Sequence, residues 1–237
     1  SRFGQWTFRH AAYTFNHNNE QQGLVMRHIM VLNAKGGCGK STIATNLAGY
    51  FATEGKSVAL ADFDPQRSSL DWLEARPEQA AAITAVDAAK DGMRHLPRSA
   101  DVCIIDSPAR SHGPELTNLI KYAETVIVPV LPSTIDMQAT TKFIAELQKV
   151  GKVNRKQVKI AVVGNRVREN TLIFDELDDY LERLRVPYLT WLRDAQNYVR
   201  AYTRGISIFE LPEYLAWPDT EQWEPLIKWI NSKRSQP

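Results

Sequence analysis

Short apolar runs alternate with longer amphipathic stretches along the chain from Met26 onward. Runs of three or four apolar residues are typical of buried strands. They occupy residues 29–32, 58–61, 102–105, 126–128 and 160–163, with a weaker candidate at 186–189. Between them, apolar residues recur every three or four positions, which indicates helices with one buried face, notably at 41–53, 137–150 and 172–184. This alternation predicts an α/β fold: a doubly wound, mostly parallel sheet with helices on both faces.

Residues 1–25 show neither the 3.6-residue period of a helix nor the 2-residue alternation of a strand, and Asn, Gln and His dominate their middle. A natural start fits Met26, which opens the first strand segment. We therefore expect residues 1–25 to be an extension that is vector-derived, vestigial or disordered, and residues 26–237 to form one domain. The alternative is a basic, aromatic arm that contacts DNA or a partner. Its side chains would be Arg2, Trp6, Phe8 and Arg9.

Composition excludes several classes of protein. The 237 residues are 43% hydrophobic and 24% charged, which excludes intrinsic disorder and fibrous repeats. There is no run of about twenty apolar residues, so the sequence predicts no membrane span. Two cysteines, Cys38 and Cys103, cannot build a disulfide framework, and a reducing cytoplasm is the expected location. The net charge of +2 neither requires nor excludes a nucleic-acid partner.

A glycine-rich loop with two lysines lies directly between the first predicted strand and the first predicted helix. Its residues are Lys35, Gly36, Gly37, Cys38, Gly39, Lys40, Ser41 and Thr42. Glycines allow a tight turn that aims successive N–H groups at an anion, and the helix N-terminus adds to the attraction. In such a loop Lys40 would reach the β- and γ-phosphates of a nucleotide, and the Ser41 hydroxyl would hold Mg²⁺. Ala34 occupies a position where the general phosphate-loop pattern has glycine.

The pattern Lys-Gly-Gly-x-Gly-Lys-Ser is the deviant Walker A motif, and here the sequence resembles the ParA/MinD family of ATPases. The resemblance covers essentially all of residues 26–237 and implies the fold of a P-loop NTPase with ATP and Mg²⁺ as cofactors. In that family the first lysine reaches across a nucleotide-sandwich dimer to the partner's phosphates. Lys35 therefore implies an ATP-dependent homodimer and a catalytic role beside Lys40. Cys38 is the variable loop position, where a small residue that fits is favoured over a redox-active thiol.

Acidic residues follow two further predicted strands. The segment from Asp62 to Gln66 resembles the family's switch I pattern, D-x-D-P-Q, which implies water activation by Asp64 and support of the Mg²⁺ shell by Asp62. Asp106 follows the apolar run 102–105 as in a Walker B motif, and by resemblance it contacts Mg²⁺ through water. The family's continuation D-T-P-P-G is changed at Ala109 and Arg110, so coupling through switch II is expected to differ. Ser68 and Trp72 match the S-x-x-x-W pattern of the compact ParA subgroup.

Two further segments resemble family motifs. Asn165 is expected to end a strand, where the family places an asparagine whose amide reads the adenine edge; a turn-forming asparagine is the alternative. Residues 129–133 resemble the segment P-V-x-P-S, which we interpret as structural. The apolar C-terminal stretch 223–230 resembles the membrane helix of MinD relatives superficially. Because Pro225 is expected to interrupt it, packing on the core is favoured.

Charge is unevenly distributed along the chain. Residues 152–204 carry eleven basic and seven acidic side chains, a net of +4. Within this window, five arginines occupy regions where ParA relatives contact DNA: Arg166, Arg168, Arg193, Arg200 and Arg204. Taken singly, each of these arginines is better interpreted as a solvated surface charge than as a DNA contact. The cluster as a whole, doubled by a dimer, predicts a surface for non-specific DNA binding.

The leading interpretation is thus a cytoplasmic, nucleoid-associated ParA-type ATPase without a membrane partner. By resemblance, it would segregate or position a plasmid, a chromosome origin or a protein body such as a carboxysome. A cargo-bound adaptor, ParB-like or equivalent, would stimulate its slow hydrolysis. One alternative is a MinD-like membrane-associated regulator. Another is an ATP-dependent synthetase of the dethiobiotin or cobyrinate type.

Overall fold

The computed structural model describes residues 25–237, in which a seven-stranded parallel sheet carries helices on both faces. The strands run in the order β3-β2-β4-β1-β5-β6-β7, and every adjacent pair is parallel. Their bounds are β1 Arg27–Val31, β2 Val58–Asp62, β3 Ile83–Asp87, β4 Val102–Asp106, β5 Thr125–Val130, β6 Lys159–Val167 and β7 Tyr188–Arg193. The predicted fold class is confirmed. The extension expected over residues 1–25 lies, except for Val25, outside the described residues.

Helices cover both faces of the sheet. Their bounds are α1 Lys40–Thr53, α2 Ser68–Glu74, α3 Ala88–Asp91, α4 Gly113–Ile120, α5 Thr134–Lys149, α6 Gly151–Asn154, α7 Leu172–Arg183, α8 Gln196–Thr203 and α9 Glu213–Ile230. Helices α1, α2, α8 and α9 pack on one face, while α3, α4, α5 and α7 pack on the other. These eight helices thereby bury apolar side chains against strands that are apolar on both sides.

Strand β1 lies at the centre and contributes to both apolar layers. Ile29 and Val31 face the layer of α1 and α9, whereas Met30 and Leu32 face the layer of α4 and α5. The chain fills the sheet on one side of β1 with β2, β3 and β4, and then continues on the other side with β5. The strand order therefore reverses at β1, which is the position where doubly wound sheets open a ligand crevice.

The sequence pattern located the central strands to within a few residues, but it missed one edge strand and several short helices. The edge strand β3 was not predicted because exposed Thr84 and Ala85 interrupt its apolar positions. The short helices α4 and α8 were also missed. The expectation for the C-terminal stretch was partly wrong, since α9 runs without a break through Pro218 and Pro225.

Burial explains why α9 persists despite its two prolines. The side chains of Trp223, Leu226 and Ile230 are inaccessible to solvent and pack in the layer shared with α1. Their apolar contacts outweigh the backbone hydrogen bonds that proline removes. The expected role of this stretch in core packing is confirmed, and among residues 25–237 no helix meets the length and hydropathy that crossing a membrane requires.

Two tryptophans on α9 allow a matched test of this packing. Trp223 is fully buried, donates from Nε1 to the hydroxyl of Tyr198 at 2.9 Å and packs edge-on to Phe209. We expect Trp223→Ala to lower the free energy of unfolding by about 3–5 kcal/mol, because it leaves a cavity and an unpaired hydroxyl. Trp217, on the same helix, is 56% exposed, and its alanine variant should lose less than about 1 kcal/mol. Urea unfolding followed by circular dichroism measures both; equal losses would contradict the assignment of α9 to the core.

Candidate functional site

The loops that follow β1, β2, β4 and β6 meet at the carboxyl edge of the sheet. They surround an open cavity of about 1040 Å³. Its wall includes most of the glycine-rich loop, the segment from Asp64 to Gln66, the segment from Pro108 to Arg110, and Asn165. Most residues of the glycine-rich loop, Asp64 and Asn165, which the sequence patterns singled out, are thus brought together at the point where the strand order reverses.

The glycine-rich loop turns into α1 through two glycines with positive φ angles. Gly37 has φ 76° and Gly39, which precedes the helix, has φ 90°. The first turn of α1 begins with Lys40, Ser41 and Thr42, whose N–H groups have no acceptor within the helix. The side chain of Lys40 is buried and its ammonium donates to the carbonyl oxygen of Lys35 at 3.3 Å. This arrangement of amides and a lysine fits a phosphate group.

Two buried asparagines hold the loop in this shape. Asn33 accepts from the backbone N–H of Lys35 at 3.0 Å and donates to the carbonyl oxygen of Pro129 at 2.8 Å. Asn165 donates from Nδ2 to the carbonyl oxygen of Cys38 at 2.8 Å. A Cβ atom at Gly39 would collide with that Nδ2 and displace the amide, and the φ of 90° there is itself strained for any residue with a side chain, so glycine is favoured on both grounds. The sequence patterns did not indicate Asn33, because its role depends on a contact with β5.

The structure changes the expectation for Asn165 in two respects. The residue lies within β6, which continues to Val167, and not at the end of the strand. Its amide is engaged on the glycine-rich loop, a role that was not predicted. The proposed contact with adenine stays a prediction.

Asp62 and Asp106 are buried side by side. They are register partners at the ends of β2 and β4, and neither is accessible to solvent. Both oxygens of Asp62 accept backbone N–H groups: Oδ1 from Asp64 at 2.9 Å, Oδ2 from Ser69 at 3.0 Å and from Leu70 at 3.4 Å. Burial raises the pKa of Asp62 and exceeds the opposing effect of these hydrogen bonds. Asp62 therefore closes the loop that carries Asp64.

Asp106 keeps one oxygen free. Its Oδ2 accepts from the Ser69 hydroxyl at 2.6 Å, whereas Oδ1 is buried without a hydrogen-bond partner among the described residues. Burial raises the pKa of Asp106 to about 7, although the hydroxyls of Ser41 and Ser69 lower it and the charge of Lys40 acts in the same direction. A buried carboxylate oxygen without a partner is costly and indicates a missing cation or donor.

The donor set here fits Mg²⁺. Asp106 and Ser41 offer hard oxygen atoms beside the phosphate-shaped loop, which suits a cation that is held by few protein groups together with phosphate. Residues 25–237 contain no group of three or more His, Cys, Asp or Glu side chains that could hold a metal by themselves. Ser69, which the sequence patterns did not single out, also takes part in this site, because its hydroxyl donates to Oδ2 of Asp106.

The remaining predicted residues of this edge have different surroundings. Asp64 lines the cavity and accepts from the N–H of Gln66 at 2.9 Å, and Lys35 is half-buried without an ion pair in the described part of the chain. Cys38 is 1% exposed and donates to the carbonyl oxygen of Lys35, and burial raises its pKa, as expected for a small residue that fits and not for a reactive thiol. Arg110 is an exposed loop residue whose N–H donates to Ala34.

The five arginines of the predicted DNA surface differ in their surroundings. Arg166 and Arg168 are exposed and share Asp194, at 3.6 and 3.3 Å. Arg200 and Arg204 are exposed on α8 and at its C-terminal end, without an ion pair within residues 25–237. Arg193 is the exception, because its guanidinium pairs with the fully buried Asp219 and that hydrogen bond raises its pKa. Its charge is compensated inside the protein, which weakens the prediction for Arg193.

Helix α8 is tied to α2, whose first residues contact the acidic pair. The hydroxyl of Tyr202 donates to the carbonyl oxygen of Ser68 at 2.7 Å, and Nε1 of Trp72 donates to that of Ile206 at 3.1 Å. Just after α2, Arg76 forms a bidentate, buried ion pair with Glu210. The acidic pair and the two exposed arginines of α8 are therefore joined through α2.

Comparison with known proteins yields both a sequence family and related folds. Residues 29–208 match the family of the CobQ/CobB/MinD/ParA nucleotide binding domain. Maintenance of carboxysome distribution protein A of Halothiobacillus neapolitanus is 31% identical over 189 residues, which are 77% of this chain and 87% of that protein. The chromosome-partitioning ATPase Soj of Thermus thermophilus is 29% identical over 157 residues, 53% of this chain and 63% of Soj.

A solved structure adds a likeness in fold. It is that of a plasmid partition protein from Borrelia burgdorferi bound to AMPPNP, with a TM-score of 0.67 over 86% of this chain and all of that chain. At 17% sequence identity, this likeness establishes the fold alone.

The raised pKa of Asp106 predicts a pH dependence of stability in the metal-free protein. Because the folded-state pKa of about 7 lies above the ordinary value of 3.8, the folded state binds the proton more tightly. Stability is therefore lost as pH rises from about 4, and the loss is complete above about pH 7. We expect Asp106→Asn to be more stable than the native chain at pH 8 in EDTA, and to lose much of that advantage at pH 5. Urea unfolding at both values tests this, with Asp71→Asn, an exposed position on α2, as the control. An advantage of the same size at both pH values would contradict it.

Asn165→Ala separates support of the loop from recognition of the base. Loss of the hydrogen bond to Cys38 should weaken ATP and GTP binding by a similar factor, roughly fivefold for a bond of about 1 kcal/mol. A role in reading adenine would instead remove only the preference for ATP over GTP. Titration of the variant with both nucleotides, labelled with the same fluorophore, distinguishes the two results.

Proposed function

The chain belongs to the family of CobQ/CobB/MinD/ParA nucleotide-binding domains, and from that premise we propose that it is a ParA-type ATPase that positions a cargo on DNA. One observation carries the proposal. The loop that bears Lys35 and Lys40 lies beside Asp106, whose buried Oδ1 has no hydrogen-bond partner within residues 25–237, at the edge where the strand order reverses. This is the arrangement that an ATP–Mg²⁺ complex requires.

For hydrolysis, each residue has a separate task. The loop amides and Lys40 bind the phosphates, while Ser41 and Asp106 hold Mg²⁺, which when bound neutralises charge on the phosphates. Asp64, at the wall of the cavity, orients the attacking water and accepts its proton. Asp62 keeps Asp64 in place through its hydrogen bond to the Asp64 N–H. Positioning and electrostatics supply most of the catalysis in such a site.

Dimerisation is proposed to close the open side of the cavity. Lys35 directly precedes the glycines that line the cavity, is half-buried and has no ion pair in residues 25–237, and it would reach the phosphates of a second copy. Three exposed apolar side chains occupy the first turns of helices that begin at this same edge. They are Ile135 on α5, Leu172 on α7 and Val199 on α8. Apolar exposure around a binding edge supports an interface at that edge.

DNA binding is assigned to the exposed arginines beside the cavity. Arg200 lies on α8, the helix tied to α2, and Arg204 follows its last residue, while Arg166 lies near the end of β6 and Arg168 directly after that strand. Two copies joined over ATP would place two such clusters on one assembly, so affinity for DNA should rise on dimerisation and fall steeply with salt. The cell location that follows is the nucleoid, in the cytoplasm. A cargo-bound adaptor that stimulates hydrolysis would release the protein from DNA, and the cargo would be a plasmid, a chromosome origin or a protein body such as a carboxysome.

The experiment measures dimerisation, DNA binding and turnover on the same preparations. We expect ATP to convert the monomer into a dimer in light scattering, and Lys35→Gln to bind ATP and stay monomeric. Asp64→Ala should bind ATP and DNA but lose at least about a hundredfold of its turnover, the lower range for loss of a general base. The controls are Lys56→Gln and Asp71→Ala, which change exposed residues of the same types. A Lys35→Gln dimer, or unchanged hydrolysis in Asp64→Ala, would contradict the assigned roles.

The DNA arm uses a double variant. Log affinity for DNA falls as log salt concentration rises. Arg200→Ala with Arg204→Ala should make this fall less steep, reducing the magnitude of the slope by roughly two per subunit. Arg183→Ala with Arg185→Ala removes the same charge near the C-terminal end of α7, at the opposite edge of the sheet, and should leave the slope unchanged. Retention on anionic vesicles with ATP and none on DNA would replace the proposal by a MinD-like membrane function.

A further inference from the structure

Ser69 contacts both carboxylates of the acidic pair. It is the second residue of α2 and its side chain is inaccessible to solvent. Its backbone N–H donates to Oδ2 of Asp62 at 3.0 Å, and its hydroxyl donates to Oδ2 of Asp106 at 2.6 Å. One residue thus bridges the ends of β2 and β4, which are the two strands that bring acids to the site.

The hydroxyl determines which oxygen of Asp106 is available. An ionised carboxylate accepts only, so the Ser69 proton must point to Asp106, and a charge-assisted bond of this length is strong. Oδ2 thereby accepts this bond, and Oδ1 is the oxygen left without a hydrogen-bond partner in the part of the chain that the structure describes. Backbone amides donate to both oxygens of Asp62. Among the described residues, Oδ1 of Asp106 is therefore the one carboxylate oxygen of the pair without a hydrogen-bond donor, and we expect it to be the oxygen that takes a cation.

Contacts on the far side of α2 hold Ser69 in this position. The carbonyl oxygen of Ser68 accepts from the Tyr202 hydroxyl, and Trp72, one turn later, is 1% exposed and donates to the carbonyl oxygen of Ile206. The helix start is therefore fixed between the acidic pair and the segment that contains α8. Ser69 acts on Asp106 from a rigid element.

We propose that Ser69 is a positioning residue for Mg²⁺: its hydroxyl holds one oxygen of Asp106 and presents the other to the cation. The inference rests on the proposed function, since it assumes that the site takes a nucleotide with Mg²⁺. Residues that orient a metal ligand in this way contribute roughly 10–100-fold to metal affinity.

The test is Ser69→Ala, with Ser57→Ala as the matched control. Ser57 is an exposed serine directly before β2, at the opposite end of that strand from Asp62, and its hydrogen bonds use its backbone, which alanine keeps. A fluorescent ATP analogue is titrated with MgCl₂, and in parallel without metal in EDTA. We expect Ser69→Ala to raise the Mg²⁺ concentration for half-maximal binding about tenfold and to leave metal-free nucleotide affinity within about twofold of the native value. Ser57→Ala should change neither.

The outcomes distinguish this inference from the proposed function. Unchanged Mg²⁺ dependence in Ser69→Ala, or an equal loss of affinity with and without metal, overturns the positioning role. Absence of Mg²⁺-dependent nucleotide binding in the native chain overturns the proposed function instead. If Ser69→Ala melts early by circular dichroism, Ser69→Cys replaces it as a weaker donor of similar size. A rise in the Mg²⁺ concentration that Ser69→Cys needs for half-maximal nucleotide binding supports the positioning role of Ser69. An unchanged Mg²⁺ requirement in that variant overturns it.

Discussion

The burial of β1 on both faces, between β4 and β5, is the constraint on which the rest of this structure depends. A strand with apolar side chains on both sides needs a helical layer on each face, and right-handed crossovers then allow the sheet to grow in either direction. Because the chain changes direction at β1, the loops after β1 and β4 lead to opposite faces and leave a crevice between them. The glycine-rich loop, Asp62 and Asp106 meet there for this topological reason.

Electrostatics then determine what the crevice can hold. Two carboxylates are buried next to each other, which costs free energy unless each oxygen has a donor. Backbone amides at the start of α2 satisfy Asp62, the Ser69 hydroxyl satisfies half of Asp106, and one oxygen remains. The buried Lys40 lies on the other side of the same crevice. The site is thus complementary to a cation next to phosphate. Without the cation, Oδ1 of Asp106 has no hydrogen-bond donor within residues 25–237.

Helix α2 connects this chemistry to the surface. It starts on the acidic pair, and its opposite side is bonded to the segment 202–210 through Tyr202, Trp72 and Arg76. Tyr202 belongs to α8, the helix that also carries Arg200 and ends next to Arg204. A shift of α2 would therefore be transmitted to these exposed arginines through directional hydrogen bonds. By contrast, the guanidinium of the half-buried Arg193 is paired with the buried Asp219 on α9, which compensates its charge.

Sequence alone determined the fold class, the central strands, the glycine-rich loop and the acids at the strand ends, because these depend on local patterns: apolar runs, glycine spacing, and an acid directly after a strand. The same patterns indicated that the C-terminal helix packs on the core, although prolines concealed its continuity. Tertiary structure decided the contacts that join distant segments. Asn33 with Pro129, Asn165 with Cys38, Ser69 with Asp106 and Arg193 with Asp219 are separated by 26 to 127 positions. No local period encodes such pairs, since they exist only where the sheet order brings the strand ends together.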